Sequence, residues 1–143
     1  MRTALPLILI ALLSGCGSIA TNHVSEADAK RVPAERLLAL QQPGDNLVRF
    51  SVTRESGFQG GGCYVGLEID RMLVARFDTS EIAWFHVSPG PHEFAVTRDP
   101  QGRGLCGLDD MTPSRETLRI EPGKANRFAI TFRVFRRPEV EPY

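Results

Sequence analysis

The 143 residues hold no apolar run long enough to cross a bilayer. The longest, Ala4 to Leu13, has ten residues and includes Pro6, against the roughly 20 apolar residues that a hydrocarbon core demands. A transmembrane anchor is therefore not expected. No sign of charge predominates either, with 17 basic and 17 acidic residues. That balance argues against nucleic acid, whose phosphates call for a basic stripe. Lysine is nearly missing. The arginine bias that results can reflect the coding genome as easily as anion recognition. Also missing are a paired Cys-x-x-Cys, a calcium-loop spacing and a P-loop, since Gly57 to Gly62 is not followed by the Lys and Ser or Thr that a P-loop needs.

What is there begins with a secretory signal: Arg2 as the positive start, the short apolar core, and small residues at its end. Those small residues end in a cysteine. Leu13-Ser14-Gly15-Cys16 resembles the lipobox of bacterial lipoproteins. The resemblance implies a diacylglyceryl thioether on Cys16, cleavage between Gly15 and Cys16, and acylation of the new amine by a chain such as palmitate. Each buried methylene contributes about 0.8 kcal/mol, so two or three acyl chains hold the protein to the membrane for good. Gly17 is not the Asp that resembles an inner-membrane retention signal, which favours the outer membrane, facing the periplasm.

Removing residues 1–15 leaves Cys16 to Tyr143, long enough for one domain with a real core. Residues 16–45 read as the lipidated cysteine, a small polar tether and two short helices. Ser25-Glu26-Ala27-Asp28 suits a helix cap, and Pro33 opens a second helix that runs to Leu40 and stops at Pro43-Gly44. From Asn46 to the C-terminus the hydrophobic period changes to two. Val48, Phe50 and Val52 alternate with Arg49, Ser51 and Thr53, and Phe128, Ile130 and Phe132 with Arg127, Ala129 and Thr131. About seven such strands, without crossover helices, predict an all-β, antiparallel β-sandwich.

Tight turns alternate with long loops along this stretch. Asp70-Arg71, Ser88 to Pro91 and Glu121 to Lys124 are tight; the two Pro-Gly pairs suit type II turns. If successive strands run in opposite directions, the tight turns share the end where the tether enters and the longer loops share the far end. Cys63 and Cys106 both lie in long loops, and export puts them in an oxidising compartment, so they are expected to pair as a disulfide. Closing a loop of that size is worth about 4 kcal/mol in the chain-entropy account.

The opening strand ending in Arg54, the Gly-rich loop, Glu68-Ile69-Asp70, the Val87 to His92 turn and Glu121-Pro122-Gly123-Lys124 before an aromatic strand together resemble a bacterial lipoprotein domain family of unknown function. That family is related in shape to the PEGA-type β-sandwiches. The resemblance covers about two-thirds of the chain and rests on turn chemistry, so it implies a fold and no catalytic residues. Where such hairpins usually carry Asp-Gly, this chain has Asp70-Arg71.

An enzyme built on Cys63 would need His86 or His92 as its base within about 3 Å. Both histidines flank the Ser88 to Pro91 turn, at the opposite end from Cys63. A metal site would draw on those histidines or on Asp78, Glu81, Asp109 and Asp110, with no recognised ligand spacing. What remains is a binding surface on the long loops, through Phe58, Gln59, Arg103, Leu105, Asp109 and Asp110, pointing away from the membrane. The expectation is a non-enzymatic, cofactor-free envelope lipoprotein, acting as a structural or accessory module that binds another envelope protein or a cell-wall polymer. The alternative is an enzyme or metal binder using the same loop end.

Overall fold

Period-two alternation with one apolar face makes strands that must bury that face against another layer. The computed structural model describes residues 21–57, 61–102, 112–133 and 137–143, and is all-β with two sheets. Nine strands are present among those residues: β1 (Lys30–Arg31), β2 (Val48–Arg54), β3 (Val65–Ile69), β4 (Met72–Phe77), β5 (Glu81–Val87), β6 (Gly90–Arg98), β7 (Arg115–Ile120), β8 (Arg127–Thr131) and β9 (Glu139–Pro142). One sheet runs β1-β5-β2-β8-β9 and the other β4-β3-β6-β7.

Both sheets feed a single apolar cluster. Phe50 and Phe85 of the first sheet lie 5.5 Å apart, and Phe50 reaches across to Phe94 of the second at 5.7 Å. Phe94 in turn meets Phe128 at 5.4 Å. Ring pairs of this kind add about 0.5–1.5 kcal/mol each beyond their area burial. Leu67, Val74 and Val96 complete the second sheet's inner face, all fully buried.

The pairing is not wholly antiparallel. β2 runs parallel to β8, and β1 parallel to β5. Parallel neighbours arise because the chain changes sheet between β2 and β3, between β4 and β5, between β5 and β6, and between β7 and β8. Among the described residues, only β3–β4 is a tight hairpin. Its Asp70 and Arg71 both have positive φ, 49° and 67°, which is the backbone of a type I′ turn despite the missing glycine.

Two margins differ from the sequence reading. Where a helix through Leu40 is expected, the described residues hold one 3-10 turn, Ala34–Arg36, and no α-helix. Beyond it the chain is drawn to exposed strand edges: Leu37 bridges Ala75, Leu38 and Ala39 donate to the Val74 carbonyl, and the Leu40 carbonyl accepts from His86 N–H. Pairing with the edges of β4 and β5 satisfies more backbone than an isolated short helix does, and closes that side of the core. At the other margin, β9 is an edge strand ending in Pro142, a place where proline is tolerated.

The tight turns do share one end and the longer connections the other, but the chain enters at the long-connection end, not the tight-turn end. Asn22 bridges Ser56, just past β2, and Thr21 Oγ1 donates to Glu55 Oε2 at 2.7 Å. Residues 22–29 then cross the outer face of the first sheet, where Glu26 accepts from Ser51 Oγ, and β1 joins β5. That strap explains why outward-facing Ser51, Thr53, Ile82 and Ala129 are buried. Entry at the far end would have required the strap to run the other way.

Candidate functional site

β2, β4 and β6 finish, and β3 and β5 begin, at the end where Asn22 enters. Continuing the alternation of β2 by one step puts Arg54 on the inner face. Its side chain is fully buried, and Nη1 donates to the carbonyls of Cys63 at 2.8 Å and Phe77 at 2.7 Å. The guanidinium also lies 5.1 Å over the Phe132 ring. Burial pulls its pKa down to about 10, with Asp78 and Glu81 acting in the other direction, so it stays cationic at neutral pH. Arg54 therefore ties the start of β3 to the end of β4.

Above this strut opens a cleft of about 410 Å³, lined by Gly62, Cys63, Tyr64, Arg76, Asp78, Asp99, Gln101 and Gly102. Its walls are ion pairs. Arg76 grips Asp99 through two bonds of 2.6 and 2.7 Å and reaches Gln101 at 2.8 Å. Arg36 grips Glu81 at 2.6 and 2.5 Å and donates to the Arg76 carbonyl at 3.0 Å. Tyr64 lies beneath both cations, its ring 4.3 Å from the Arg36 guanidinium and 5.2 Å from that of Arg76. Hydrogen bonding to Glu81 raises the Arg36 pKa and hydrogen bonding to Asp99 raises that of Arg76. Burial works against ionised Asp99, yet Arg76 and the Gln101 amide hold its pKa below the usual carboxylate range.

Such an arrangement is rigid, and its charges are neutralised in place. Glu81 also accepts from the Asp78 amide at 2.6 Å, so neither Asp78 nor Glu81 stands as an isolated ligand. Among the described residues no three His, Cys, Asp or Glu come together as a metal-binding group. None of the three histidines is hydrogen-bonded to a thiol or hydroxyl among those residues. The cleft can bind a ligand through the exposed edge of Tyr64 and the outer rims of its ion pairs.

His86 and His92 do not face each other across a hairpin. They lie in different sheets, because the chain crosses over between β5 and β6. His92 is instead a tie between turns: Nδ1 is 2.6 Å from Asp70 Oδ2 and Nε2 is 2.8 Å from the Ser88 carbonyl. Cys63 precedes β3 and His92 lies beyond its far end, past the Ile69 and Phe94 pair. Five strand residues at about 3.3 Å each keep thiol and imidazole apart.

Of the expected recognition residues, Phe58, Gln59, Arg103, Leu105, Asp109 and Asp110 lie outside the described residues, as do Cys16 and Cys106. Gly62 and Gly102, close to the undescribed parts of those loops, both border the cleft. Sequence reasoning missed Arg36, Tyr64, Arg76 and Asp99. Only Arg54 left a signal, as a charge in step with buried positions.

No helix among the described residues is long and apolar enough to cross a membrane. Compared with protein-family models, with curated proteins and with solved structures, the chain matches none.

Proposed function

We propose that this chain is a lipid-anchored envelope protein, a β-sandwich of PEGA-like shape that serves as a non-enzymatic binding module. The lipobox-like Leu13 to Cys16 and the short signal before it support the anchor. The observation that carries the binding reading is the cleft beside Tyr64, a concavity in which Arg76 and Asp99 are committed to one another and hold the wall in place, which suits recognition.

The entry point of the chain reverses the orientation expected from sequence. Four residues, Gly17 to Ala20, separate Cys16 from Thr21, and the five Cα-to-Cα steps reach about 17 Å when extended. With acyl chains on Cys16, the long-connection end and its cleft face the bilayer and the tight turns face the compartment. The periplasmic side of an outer membrane is the setting that Gly17 favours. The pairing of Cys63 with Cys106 is supported by the place of both in long loops and by the oxidising compartment that export would give them.

Metabolic labelling with a fatty-acid analogue tests the anchor: label is expected on the protein and absent from Cys16→Ser, and an unlabelled parent protein defeats the reading. Crosslinking in intact envelopes, followed by capture, tests for an envelope partner. Thiol titration separates binding module from thiol enzyme, since no alkylatable thiol is expected in the mature protein and two would favour the enzyme.

A further inference from the structure

The outer face of the first sheet carries a second cluster, apart from the cleft. Trp84 projects outward from β5 between its two neighbours, β1 and β2. Arg31 of β1 lies over the indole at 5.4 Å and Arg49 of β2 lies over it at 5.2 Å. The two guanidinium carbons are thus no further apart than the sum of those distances. A guanidinium stacked on a ring keeps its N–H edge free for an anion. Among the described residues neither Arg31 nor Arg49 has an ion pair or a side-chain hydrogen bond, although both are exposed. Other described arginines are committed: Arg36, Arg54 and Arg76 are bonded inside the fold, Arg71 pairs with Glu93, and Arg127 with Glu26.

Beside the indole a groove of about 170 Å³ runs toward the tight-turn end, bordered by Arg49, Trp84, Lys124, Asn126 and Arg127. Its one carboxylate, Glu26, is already held by Ser51 Oγ and Arg127. We propose that the Arg31–Trp84–Arg49 cluster and this groove bind a polyanion bearing at least two carboxylates, as a cell-wall polymer does on its peptides. The two cations come from strands on either side of the one that carries Trp84, an arrangement that suits a ligand presenting separate acidic groups. The choice of wall polymer rests on the envelope reading above; the carboxylate chemistry does not. The groove opens away from the chain's point of entry, out of reach of headgroups at that end.

Trp84 is the single tryptophan of the chain, so its emission reports on this site alone. The experiment titrates the full-length protein in detergent with soluble glycopeptide fragments of purified cell wall, with the same fragments methyl-esterified, and with pyrophosphate. The acidic fragments are expected to change the emission saturably and the esters to do nothing. Arg31→Gln and Arg49→Gln should each weaken binding about tenfold, and Arg49→Lys less. The proposal is overturned by an unchanged emission, by esters that bind equally well, by variants that bind as the parent does, or by pyrophosphate binding more tightly than the fragments. Binding in detergent does not need the acyl chains. Saturable binding by a protein that takes no fatty-acid label would defeat the anchor alone, and a labelled protein that does not bind would defeat this site alone.

Discussion

Arg54 is a charge in a core position, and its removal leaves two buried carbonyls without that donor. Arg54→Met keeps the volume and loses the hydrogen bonds, with an expected cost of about 3 kcal/mol in urea unfolding. Asp99 and Asp70 provide a second prediction, about acid. Burial opposes charge at Asp70 too, but His92 and the Glu93 amide hold its pKa below the usual carboxylate range. A depressed folded pKa means stability that is complete above the unfolded value of about 4 and is lost as pH falls through the folded one. The urea midpoint should therefore drop below about pH 4, and Asp99→Asn with Asp70→Asn should flatten that drop while lowering the midpoint at pH 7. Residue roles of this kind were mostly illegible in the sequence. Arg54 could be read because it sits in step with Phe50 and Val52; Arg36, Tyr64, Arg76 and Asp99 could not, because only strand order brings them together.

Among elements, the β3–β4 hairpin carries a local cost. Arg71 adopts a left-handed conformation that glycine adopts freely, and its side chain is 78% exposed with one ion pair to Glu93 at 3.4 Å. Arg71→Gly is expected to raise stability by about 0.5–1 kcal/mol, measured by thermal or urea unfolding. A loss instead would mean that the pair with Glu93 outweighs the backbone. Alternation made the longer strands legible, since period two with one apolar face has few other homes. The segment through Leu40 was misjudged for a physical reason: its leucines and alanines favour helix locally, but the open edges of β4 and β5 offer backbone partners that a short helix lacks. Helix propensity says nothing about a neighbouring edge.

At the scale of the whole molecule, the strap of residues 22–29 fixes which end of the fold the chain enters, and the proposed orientation on the membrane follows from it. A fluorophore on Gly102→Cys, beside the cleft, should transfer energy to a lipid-borne acceptor more efficiently than one on Pro122→Cys at the tight-turn end, in the lipidated protein reconstituted into vesicles. The opposite ranking would return the loops to the outward side. The sequence led to the wrong end because alternating connections reveal which loops cluster, while the course of a segment before the first long strand depends on what it can cover: here Ile82, Ala129 and their neighbours.

The point of entry also limits where the protein can act. On the proposed anchor, the five Cα-to-Cα steps from Cys16 to Thr21 give about 17 Å of leash and the seven residues of β2 about 23 Å of body. With lipid on Cys16 as proposed, anything touched by the tight-turn end would have to come within roughly 40–50 Å of the bilayer. Under the proposed anchor, a protein tied so short would wait at a fixed height rather than search its compartment, and lengthening the leash residue by residue would raise that height and turn its working radius into something an experimenter can dial.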